Sequence, residues 1–371
     1  MKQGWEYKKI GNICNITTGK LDANAANEDG LYPFFTCSRI PLSINTYAYD
    51  CECILIAGNG DLNVKYYNGK FNAYQRTYIL QLKNDVNGVE MRYIFAFFNL
   101  YIEELRRKSI GGIIKYIKLG DLTNALLPLP DITTQLSIVS ELDKINELIR
   151  LKKEQLKDYD NLAQSIFYEM FGDPVENEKG WEVKKLNEIV SDNCSISYGI
   201  VQPGDGVENG VPVVRPVDMT KTFVSRKGLK NTTKEISDSY KRTILKGNEI
   251  LMCVRGTTGL ISMATPELQG CNVTRGIAPF ECGPTCDKWF VFYQILNPAI
   301  QHHIAEYTRG IALKQINMKD VRDIPLCLPP LPLQRLFAQR IEQIEREKSE
   351  VQKSIQDLET LLASRMQYWF E

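Results

Sequence analysis

Short turns that combine glycine or threonine with arginine, lysine or amide side chains recur along the chain. They are Gly19-Lys20, Gly58-Asn59-Gly60, Tyr74-Gln75-Arg76, Arg255-Gly256-Thr257-Thr258-Gly259, Asn272-Val273-Thr274-Arg275 and Arg309-Gly310. Arginine can bind guanine, and asparagine or glutamine can bind adenine, through paired hydrogen bonds, while lysine, threonine and loop amides hold phosphates. This combination is typical of a surface that binds nucleic acid. Most surface arginine and lysine side chains are merely solvated, so the recurrence of the turns carries the interpretation.

We predict nucleic-acid contacts from a set of residues in these turns and in neighbouring polar segments. They are Lys20, Arg39, Asn59, Lys65, Tyr74, Gln75, Arg76, Lys115, Arg215, Arg255, Thr257, Thr258, Asn272, Arg275, Arg309 and Lys314. Lys115 and Lys314 lie at equivalent places of an internal repeat, which favours phosphate binding over base contacts.

Residues for catalysis are scarce. The only histidines are the adjacent pair His302 and His303, so a Ser-His-Asp triad or a histidine-rich metal site is poorly supported. There is no Walker A motif and no complete dinucleotide-binding loop, and the cysteines lack the spacing of zinc knuckles. We therefore predict a chain with no catalytic residue, no metal and no cofactor of its own.

The elements that must position these turns occur twice. The matching segments are 4–10 with 180–186, 114–117 with 313–316, and 127–130 with 326–329. Beyond the last pair the register holds without a gap, so that Gln135 falls on Gln334. The offset between copies grows from 176 to 199 residues, so the second copy carries about 23 extra residues in its divergent middle. Two such long copies make a pseudo-dimer in one chain and no solenoid.

Each copy ends in a segment with apolar residues at alternating spacings of three and four. In the first copy these are Ile138, Leu142, Ile145, Ile149, Leu156, Tyr159, Ala163, Ile166 and Met170, and in the second Phe337, Ile341, Ile344, Val351, Ile355, Leu358, Leu362 and Trp369. The pattern predicts a coiled-coil seam. A helix over 135–171 is about 55 Å long. We expect the two helices to pair antiparallel and hold the variable middles apart; the alternative is an amphipathic helix packed on its own domain.

The divergent middles combine short strands and helices. We predict strands at 53–57, 78–82 and 250–254, and helices at 92–107 and 289–307. The fold class is therefore mixed α/β, with two variable domains in a pseudo-two-fold repeat and two long antiparallel coiled-coil helices.

Composition narrows the class of protein. The 371 residues are 43% hydrophobic and 24% charged, which are ordinary globular values, and 45 basic residues balance 45 acidic ones. An anionic partner must therefore be met by local charge. The start of the chain lacks a secretory apolar region, and the apolar runs are far shorter than the roughly 20 residues of a membrane helix. We expect a cytoplasmic protein with reduced thiols and no membrane segment.

With the repeated Gly-Trp-Glu-x-Lys-Lys starts, the Leu-x-Leu-Pro lead-ins and the paired long helices, the chain resembles the specificity subunit of type I restriction-modification systems. Segments 16–24 and 30–36 also look like the start of a target-recognition domain of that family. The resemblance implies recognition domains at 1–126 and 173–325 and spacer helices at 127–172 and 326–371. It implies a non-catalytic reader of a bipartite double-stranded DNA site, in which the helices set the spacer.

The same resemblance implies partners. Two methyltransferase subunits would dock on the helices and bring S-adenosylmethionine, and restriction or translocase subunits, where present, would bring ATP and Mg²⁺.

Two other classes of protein remain open. One is a duplicated coiled-coil scaffold that organises protein partners without binding DNA, which salt-sensitive duplex binding would exclude. The other is a stand-alone nuclease or methyltransferase, for which the sequence offers no motif.

Overall fold

The computed structural model describes residues 4–112, 114–192, 194, 196–310 and 313–371. The chain packs into two units. Unit 1 comprises Met1–Glu154 with Gln352–Glu371, and unit 2 comprises Gln155–Val351. Each unit therefore contains one variable domain and part of each long helix.

Unit 1 contains the first copy of the repeat. Its elements are β1 (Glu6–Lys9), α1 (Ile10–Ile13), β2 (Cys14–Thr18), β3 (Tyr32–Phe35), β4 (Leu42–Ile44), β5 (Tyr49–Ala57), β6 (Val64–Ala73), β7 (Thr77–Leu82), α2 (Met91–Lys108), α3 (Leu119–Thr123), β8 (Leu126–Leu129) and the first part of α4 (Ile132–Phe171). The six strands from β2 to β7 form one sheet in the order β2-β7-β5-β6-β3-β4. Apolar residues of β5 and α2 fill the space between the sheet and the helices.

Unit 2 contains the second copy. Its elements are the rest of α4, β9 (Glu182–Lys185), α5 (Leu186–Ile189), β10 (Val211–Val214), β11 (Lys230–Thr232), α6 (Lys234–Ser239), β12 (Ile250–Cys253), β13 (Ile261–Met263), β14 (Asn272–Val273), β15 (Ile277–Phe280), α7 (Lys288–Leu296), α8 (Pro298–Glu306), α9 (Met318–Arg322), β16 (Pro325–Leu328) and the first part of α10 (Leu331–Phe370). The strands form two three-stranded sheets, β11-β10-β14 and β13-β12-β15. They correspond to the two halves of the single sheet of unit 1.

The correspondence between the sheets is visible in their register. Parallel pairing joins β3 to β6 at Phe34 and Asn72, and it joins β10 to β14 at Val213 and Asn272. Antiparallel pairing of β5 with β7 has its counterpart in β12 with β15. The mixed α/β fold class predicted from the sequence is thus confirmed.

Both long helices are present, each 40 residues long. In unit 1, Lys153 Nζ lies 2.8 Å from Glu359 Oε1, and Arg365 binds Glu141, so the helices run antiparallel. In unit 2, Tyr159 Oη donates to Glu347 Oε2 at 2.8 Å, and Phe171 packs on Phe337. The predicted antiparallel pairing is confirmed within each unit.

A two-stranded sheet closes each variable domain. In unit 1, β1 pairs with β8, which places Glu6 opposite Leu129. In unit 2, β9 pairs with β16, which places Glu182 opposite Leu328. The first and last strands of each domain therefore lie side by side.

A buried glutamine joins α2 to the start of α4 in unit 1. Gln135 is 0% exposed, and its Oε1 accepts from Glu90 N at 3.0 Å. Its Nε2 donates to Pro130 O at 2.8 Å and to Gly88 O at 3.0 Å. The side chain thus satisfies backbone groups that a buried helix start would otherwise leave unpaired.

Unit 2 repeats this arrangement with Gln334, also 0% exposed. Asp287 N donates to Gln334 Oε1 at 2.9 Å, and Gln334 Nε2 donates to Pro329 O at 2.6 Å. The contact aligns Glu90 of unit 1 with Asp287 of unit 2, and hence α2 with α7.

The helix predicted at 289–307 is two helices. α7 ends at Leu296 and α8 begins at Pro298, with Asn297 Oδ1 accepting from Ala299 N at 2.9 Å. Proline has no N–H for the helical ladder, and asparagine is a strong N-cap, so one helix ends and another begins here.

Candidate nucleic-acid interface

In unit 1, the loop after β5 is tied to the segment before α3. Gly60 N donates to Lys115 O at 2.9 Å, and Ile117 N donates to Gly58 O at 3.0 Å. Asn59 lies between these two bonds and faces Tyr116 across a short antiparallel bridge. The backbone therefore holds Asn59 and the exposed Lys115 side by side.

The turn between β6 and β7 joins the same surface. Gly58 N donates to Arg76 O at 2.8 Å, and Gln75 N donates to Leu21 O at 2.9 Å. Gln75 and Arg76 are both exposed. The residues around this turn enclose a cleft of about 350 Å³ lined by Thr18, Gly58, Gln75, Arg76, Tyr78, Tyr116, Ile117, Lys118 and Leu119.

Unit 2 builds its counterpart with the same backbone bonds. Gly256 N donates to Lys314 O at 2.8 Å, and Ile316 N donates to Val254 O at 3.0 Å. Arg255 lies between them and bridges to Gln315. Arg255 therefore stands where unit 1 has Asn59, and Lys314 stands where it has Lys115.

The turn between β14 and β15 is the counterpart of the turn after β6. Arg275 N donates to Ile200 O at 2.7 Å, and Val254 N donates to Gly276 O at 2.7 Å. Arg275 therefore stands where unit 1 has Gln75, and Gly276 stands where it has Arg76.

A third position follows the helices of each domain. Ile110 and Tyr116 exchange backbone hydrogen bonds of 3.0 and 2.8 Å, and Arg309 and Gln315 exchange two of 2.8 Å. We call Asn59, Gln75, Arg76 and Lys115 polar cluster 1, and Arg255, Arg275, Arg309 and Lys314 polar cluster 2.

The arginines of the two clusters differ from two other predicted arginines in their partners. Arg39 Nε lies 2.7 Å from Asp61 Oδ2, and Arg215 binds Asp218 at 2.8 Å. Hydrogen bonding to Arg39 lowers the pKa of Asp61. In the described part of the chain, the guanidinium groups of polar clusters 1 and 2 have no carboxylate partner. Among the described residues, their positive charge is therefore not neutralised by a neighbouring carboxylate.

Two arginines of polar cluster 2 differ in their surroundings. The Arg275 guanidinium lies over the Tyr198 ring at 5.8 Å, and its side chain is exposed. Arg255 is half-buried, and its buried Nε has no hydrogen-bond partner among the residues described. The exposed Arg275 guanidinium can therefore still donate hydrogen bonds to a ligand, whereas the Nε of Arg255 is enclosed.

The other predicted residues lie outside the clusters. Lys20 and Thr257 are exposed, whereas Tyr74 and Thr258 are half-buried, and the hydroxyl of Thr258 accepts from Thr308 Oγ1 at 3.1 Å. Burial lowers the pKa of Lys65, whose ammonium donates to Asn63 Oδ1.

Asn272 requires a correction. It is 0% exposed, its Oδ1 accepts from Thr243 Oγ1 at 2.7 Å, and its Nδ2 donates to Ser237 Oγ at 3.1 Å. A side chain enclosed and hydrogen-bonded in this way cannot reach a base edge, so Asn272 is left out of the candidate surface. Asn72 is its buried equivalent in unit 1, and in both units Oδ1 accepts from the next backbone N–H.

Among the described residues, no group of three or more His, Cys, Asp or Glu side chains could hold a metal ion. No helix in those same residues is both long and apolar enough to cross a membrane.

The family model described as "Type I restriction modification DNA specificity domain" matches residues 2–158 and 178–360, most of both copies. The chain belongs to this family.

Curated relatives in the specificity-domain family match along most of the chain. The type I restriction enzyme EcoDI specificity subunit of Escherichia coli is 27% identical over 378 residues, which cover 95% of this chain and 83% of the relative. The type I restriction enzyme MjaVIII specificity subunit of Methanocaldococcus jannaschii is 21% identical, covering 97% of this chain and 92% of the relative.

Solved structures of this family share the fold. The S subunit of a type I restriction-modification system from M. genitalium aligns with a TM-score of 0.59 and 15% identity, covering 100% of this chain and 98% of that one. A chain from work on complex assembly and conformational transition of the type I R-M system aligns with a TM-score of 0.57 and 19% identity, with the same coverage.

Four residues that lie beside the polar clusters were not predicted from the sequence. Tyr116 and Lys118 line the cleft of unit 1, and Gln315 and Tyr198 adjoin polar cluster 2. The repeat alignment that identified Lys115 already pairs Tyr116 with Gln315 and could have found both. Tyr198 carried no comparable signal.

Proposed function

We propose that this chain is the double-stranded DNA-binding specificity subunit of a type I restriction-modification complex and has no catalytic activity of its own. The observation that carries the proposal is the pair of polar clusters. They occupy equivalent backbone positions in the two units but present different side chains. A shared scaffold with different donors suits two half-sites of different sequence in one bipartite target.

The two lysines at equivalent positions would hold phosphates. Lys115 and Lys314 are exposed, carry no carboxylate partner within the described residues, and have their backbone carbonyls fixed by Gly60 and Gly256. Phosphate contacts position a protein on the duplex, and base contacts specify the sequence.

The domain boundaries at 1–126, 127–172, 173–325 and 326–371 belong to the same proposal. Residues 127–172 and 326–371 would set the spacer between half-sites and dock two methyltransferase subunits. Exposed apolar side chains along the helices support a docking role, and they are Leu136, Leu148, Leu151, Leu162, Leu336, Leu361 and Tyr368. The docked subunits would supply S-adenosylmethionine, and added restriction subunits would supply ATP and Mg²⁺. Such a complex would act on DNA in the cytoplasm.

The experiment is to co-express the chain with the methyltransferase encoded beside it and to map adenine methylation on genomic DNA by long-read sequencing. We expect a split motif of two short half-sites with a fixed gap. Absence of any motif, together with absence of salt-dependent duplex binding, would favour the protein-interaction scaffold instead.

A lysine pair tests the phosphate contacts. We expect Lys115→Gln with Lys314→Gln to weaken duplex binding of the complex at every sequence, because each lysine neutralises one phosphate. The slope of log affinity against log salt should fall by about 2. Fluorescence anisotropy at several salt concentrations measures it.

The matched control is Lys8→Gln with Lys184→Gln. These lysines occupy equivalent places in β1 and β9 and pair with Glu6 and Glu182 at 2.9 and 3.4 Å. The control should leave the slope unchanged, and an equal loss in both double variants would contradict the assignment.

A further inference from the structure

The two units differ in side-chain chemistry at four equivalent backbone positions around the polar clusters. The pairs are Asn59 and Arg255, Gln75 and Arg275, Arg76 and Gly276, and Ile110 and Arg309, with unit 1 given first. At two of these positions an amide in unit 1 is replaced by a guanidinium in unit 2. Ile110 is also replaced by an arginine, whereas Arg76 is replaced by a glycine.

The equivalence is most precise for Gln75 and Arg275. Each lies two residues after the end of a strand, and that strand ends in a buried asparagine followed by alanine in unit 1 and by valine in unit 2. Each donates its backbone N–H to a backbone carbonyl near the start of its own domain. The acceptors are Leu21 O at 2.9 Å for Gln75 and Ile200 O at 2.7 Å for Arg275. The two side chains therefore start from the same point of the same scaffold.

Both side chains are available to a ligand. Gln75 and Arg275 are exposed, and neither makes a hydrogen bond or ion pair with another side chain in the described part of the chain. The Arg275 guanidinium carbon lies over the ring of Tyr198, 5.8 Å from its centroid. A preoriented guanidinium loses less entropy on binding than a freely rotating one.

These side chains favour different bases. A glutamine amide donates one hydrogen bond to N7 of adenine and accepts one from the N6 amino group of the same base. A guanidinium instead donates two hydrogen bonds, which match the acceptors O6 and N7 of guanine. A wrong base loses about 10- to 100-fold in affinity at such a contact.

We propose that Gln75 and Arg275 are equivalent specificity-determining residues, with Gln75 binding adenine in one half-site and Arg275 binding guanine in the other. The inference rests on the proposed DNA-binding function. Unit 2 offers two further guanidinium groups, those of Arg255 and Arg309, and unit 1 offers one, that of Arg76, so the half-site bound by unit 2 is the richer in guanine.

The test compares the methylation motifs of three complexes, formed by the unchanged chain, by the Gln75→Arg variant and by the Arg275→Gln variant. Gln75→Arg should change one A·T pair to G·C in one half-site and leave the gap and the other half-site unchanged. Arg275→Gln should change one G·C pair to A·T in the other half-site. Changes confined to the same half-site, or an unchanged base identity in both variants, would overturn the proposal.

Binding provides a second measurement for any variant complex that does not methylate. Selection from a randomised duplex pool with Arg275→Gln should reverse or remove the guanine preference at one position by about 10- to 100-fold. Arg275→Lys should retain guanine with weaker affinity, because lysine also binds O6 and N7. Full guanine preference in Arg275→Gln would refute the assignment.

Two controls separate the possible failures. Arg226→Gln removes an exposed guanidinium that already donates to Glu267 O at 2.9 Å, and it should leave the motif unchanged. If the unchanged complex yields no motif and no duplex binding, the proposed function itself fails. If it yields a split motif that the substitutions do not alter, only the assignment of Gln75 and Arg275 fails.

Discussion

The two units differ most clearly where α2 and α7 pack on the long helices. In unit 1 this region contains a cleft of about 520 Å³ lined by Arg92, Phe95, Ala96, Asn99, Val139, Leu142, Asp143, Asn146, Leu362 and Met366. In unit 2, the buried glutamine alignment places Tyr293 where unit 1 has Ala96. Tyr293 is 7% exposed and packs on Phe337 with ring centroids 5.6 Å apart.

The long helices change in a compensating way. Leu362 and Met366 of unit 1 correspond to Ala163 and Phe167 of unit 2, and Phe167 stacks on Phe290 with centroids 5.8 Å apart. The repeat therefore preserves backbone hydrogen bonds while side-chain volume is redistributed. Equivalent residues that bind backbone groups, such as Gln135 and Gln334, have the same role in both units. Equivalent residues that pack in the core, such as Ala96 and Tyr293, do not.

The largest effect should come from Tyr293→Ala. It removes a ring that contacts Trp289, Phe292 and Phe337 and creates a cavity in unit 2. We expect the free energy of unfolding to fall by about 3–5 kcal/mol, measured by denaturant titration of the full chain.

The reciprocal change, Ala96→Tyr, serves as the control. The cleft of unit 1 offers room for the added ring, so the free energy of unfolding should change by less than about 1 kcal/mol. Equal losses in Tyr293→Ala and Ala96→Tyr would mean that the two sites are packed alike.

An intermediate and symmetrical effect is expected for Gln135→Leu and Gln334→Leu. Each leaves a partly buried N–H and a buried C=O without the glutamine as partner, at Glu90 and Pro130 in unit 1 and at their equivalents in unit 2. Each should lower the free energy of unfolding by about 2–3 kcal/mol. Thermal and denaturant unfolding measure both, and a difference above about 1.5 kcal/mol between the two variants would show that the contacts are not equivalent.

The smallest effect should come from Glu141→Gln. Glu141 binds Arg365, accepts from Trp369 Nε1 at 3.0 Å, and has its pKa lowered by hydrogen bonding to Arg365. The equivalent residue in unit 2 is Arg340, whose guanidinium approaches Met170 Sδ at 4.0 Å. Because the pair is about a third exposed, we expect a loss below about 1 kcal/mol at neutral pH.

This loss should depend on pH with a definite sign. The folded-state pKa of Glu141 lies below its ordinary value of 4.5, so the ion pair stabilises fully at neutral pH. The stabilisation is lost as the pH falls from about 4.5 through the folded-state pKa. The difference between Glu141→Gln and the unchanged chain should therefore shrink below pH 4, and a constant difference down to pH 3 would contradict it.

The sequence allowed the repeated architecture to be predicted because its signals are local or periodic. The heptad pattern placed the first helix at 135–171, and it spans Ile132–Phe171. The helix predicted at 92–107 is Met91–Lys108, and the strand predicted at 53–57 lies within Tyr49–Ala57.

Other features depend on contacts between distant residues and could not be predicted in this way. An amide three residues before an arginine gave no indication that Asn272 is enclosed by Ser237, Tyr240 and Thr243. The parallel pairing of β3 with β6 and the aromatic packing around Tyr293 likewise arise only when the chain is folded. Composition identified the candidate loops, whereas the pairing of Gln75 with Arg275 required the hydrogen bonds of both units.

The pairing of the first and last strands of each domain has a consequence for the evolution of such a chain. Because β1 lies beside β8 and β9 beside β16, everything between them leaves and returns to the scaffold at one place. Chain inserted between neighbouring ends costs little in closure entropy, and the second copy already carries its additional residues there. A whole recognition domain can therefore be exchanged for another while the helices that carry it stay the same.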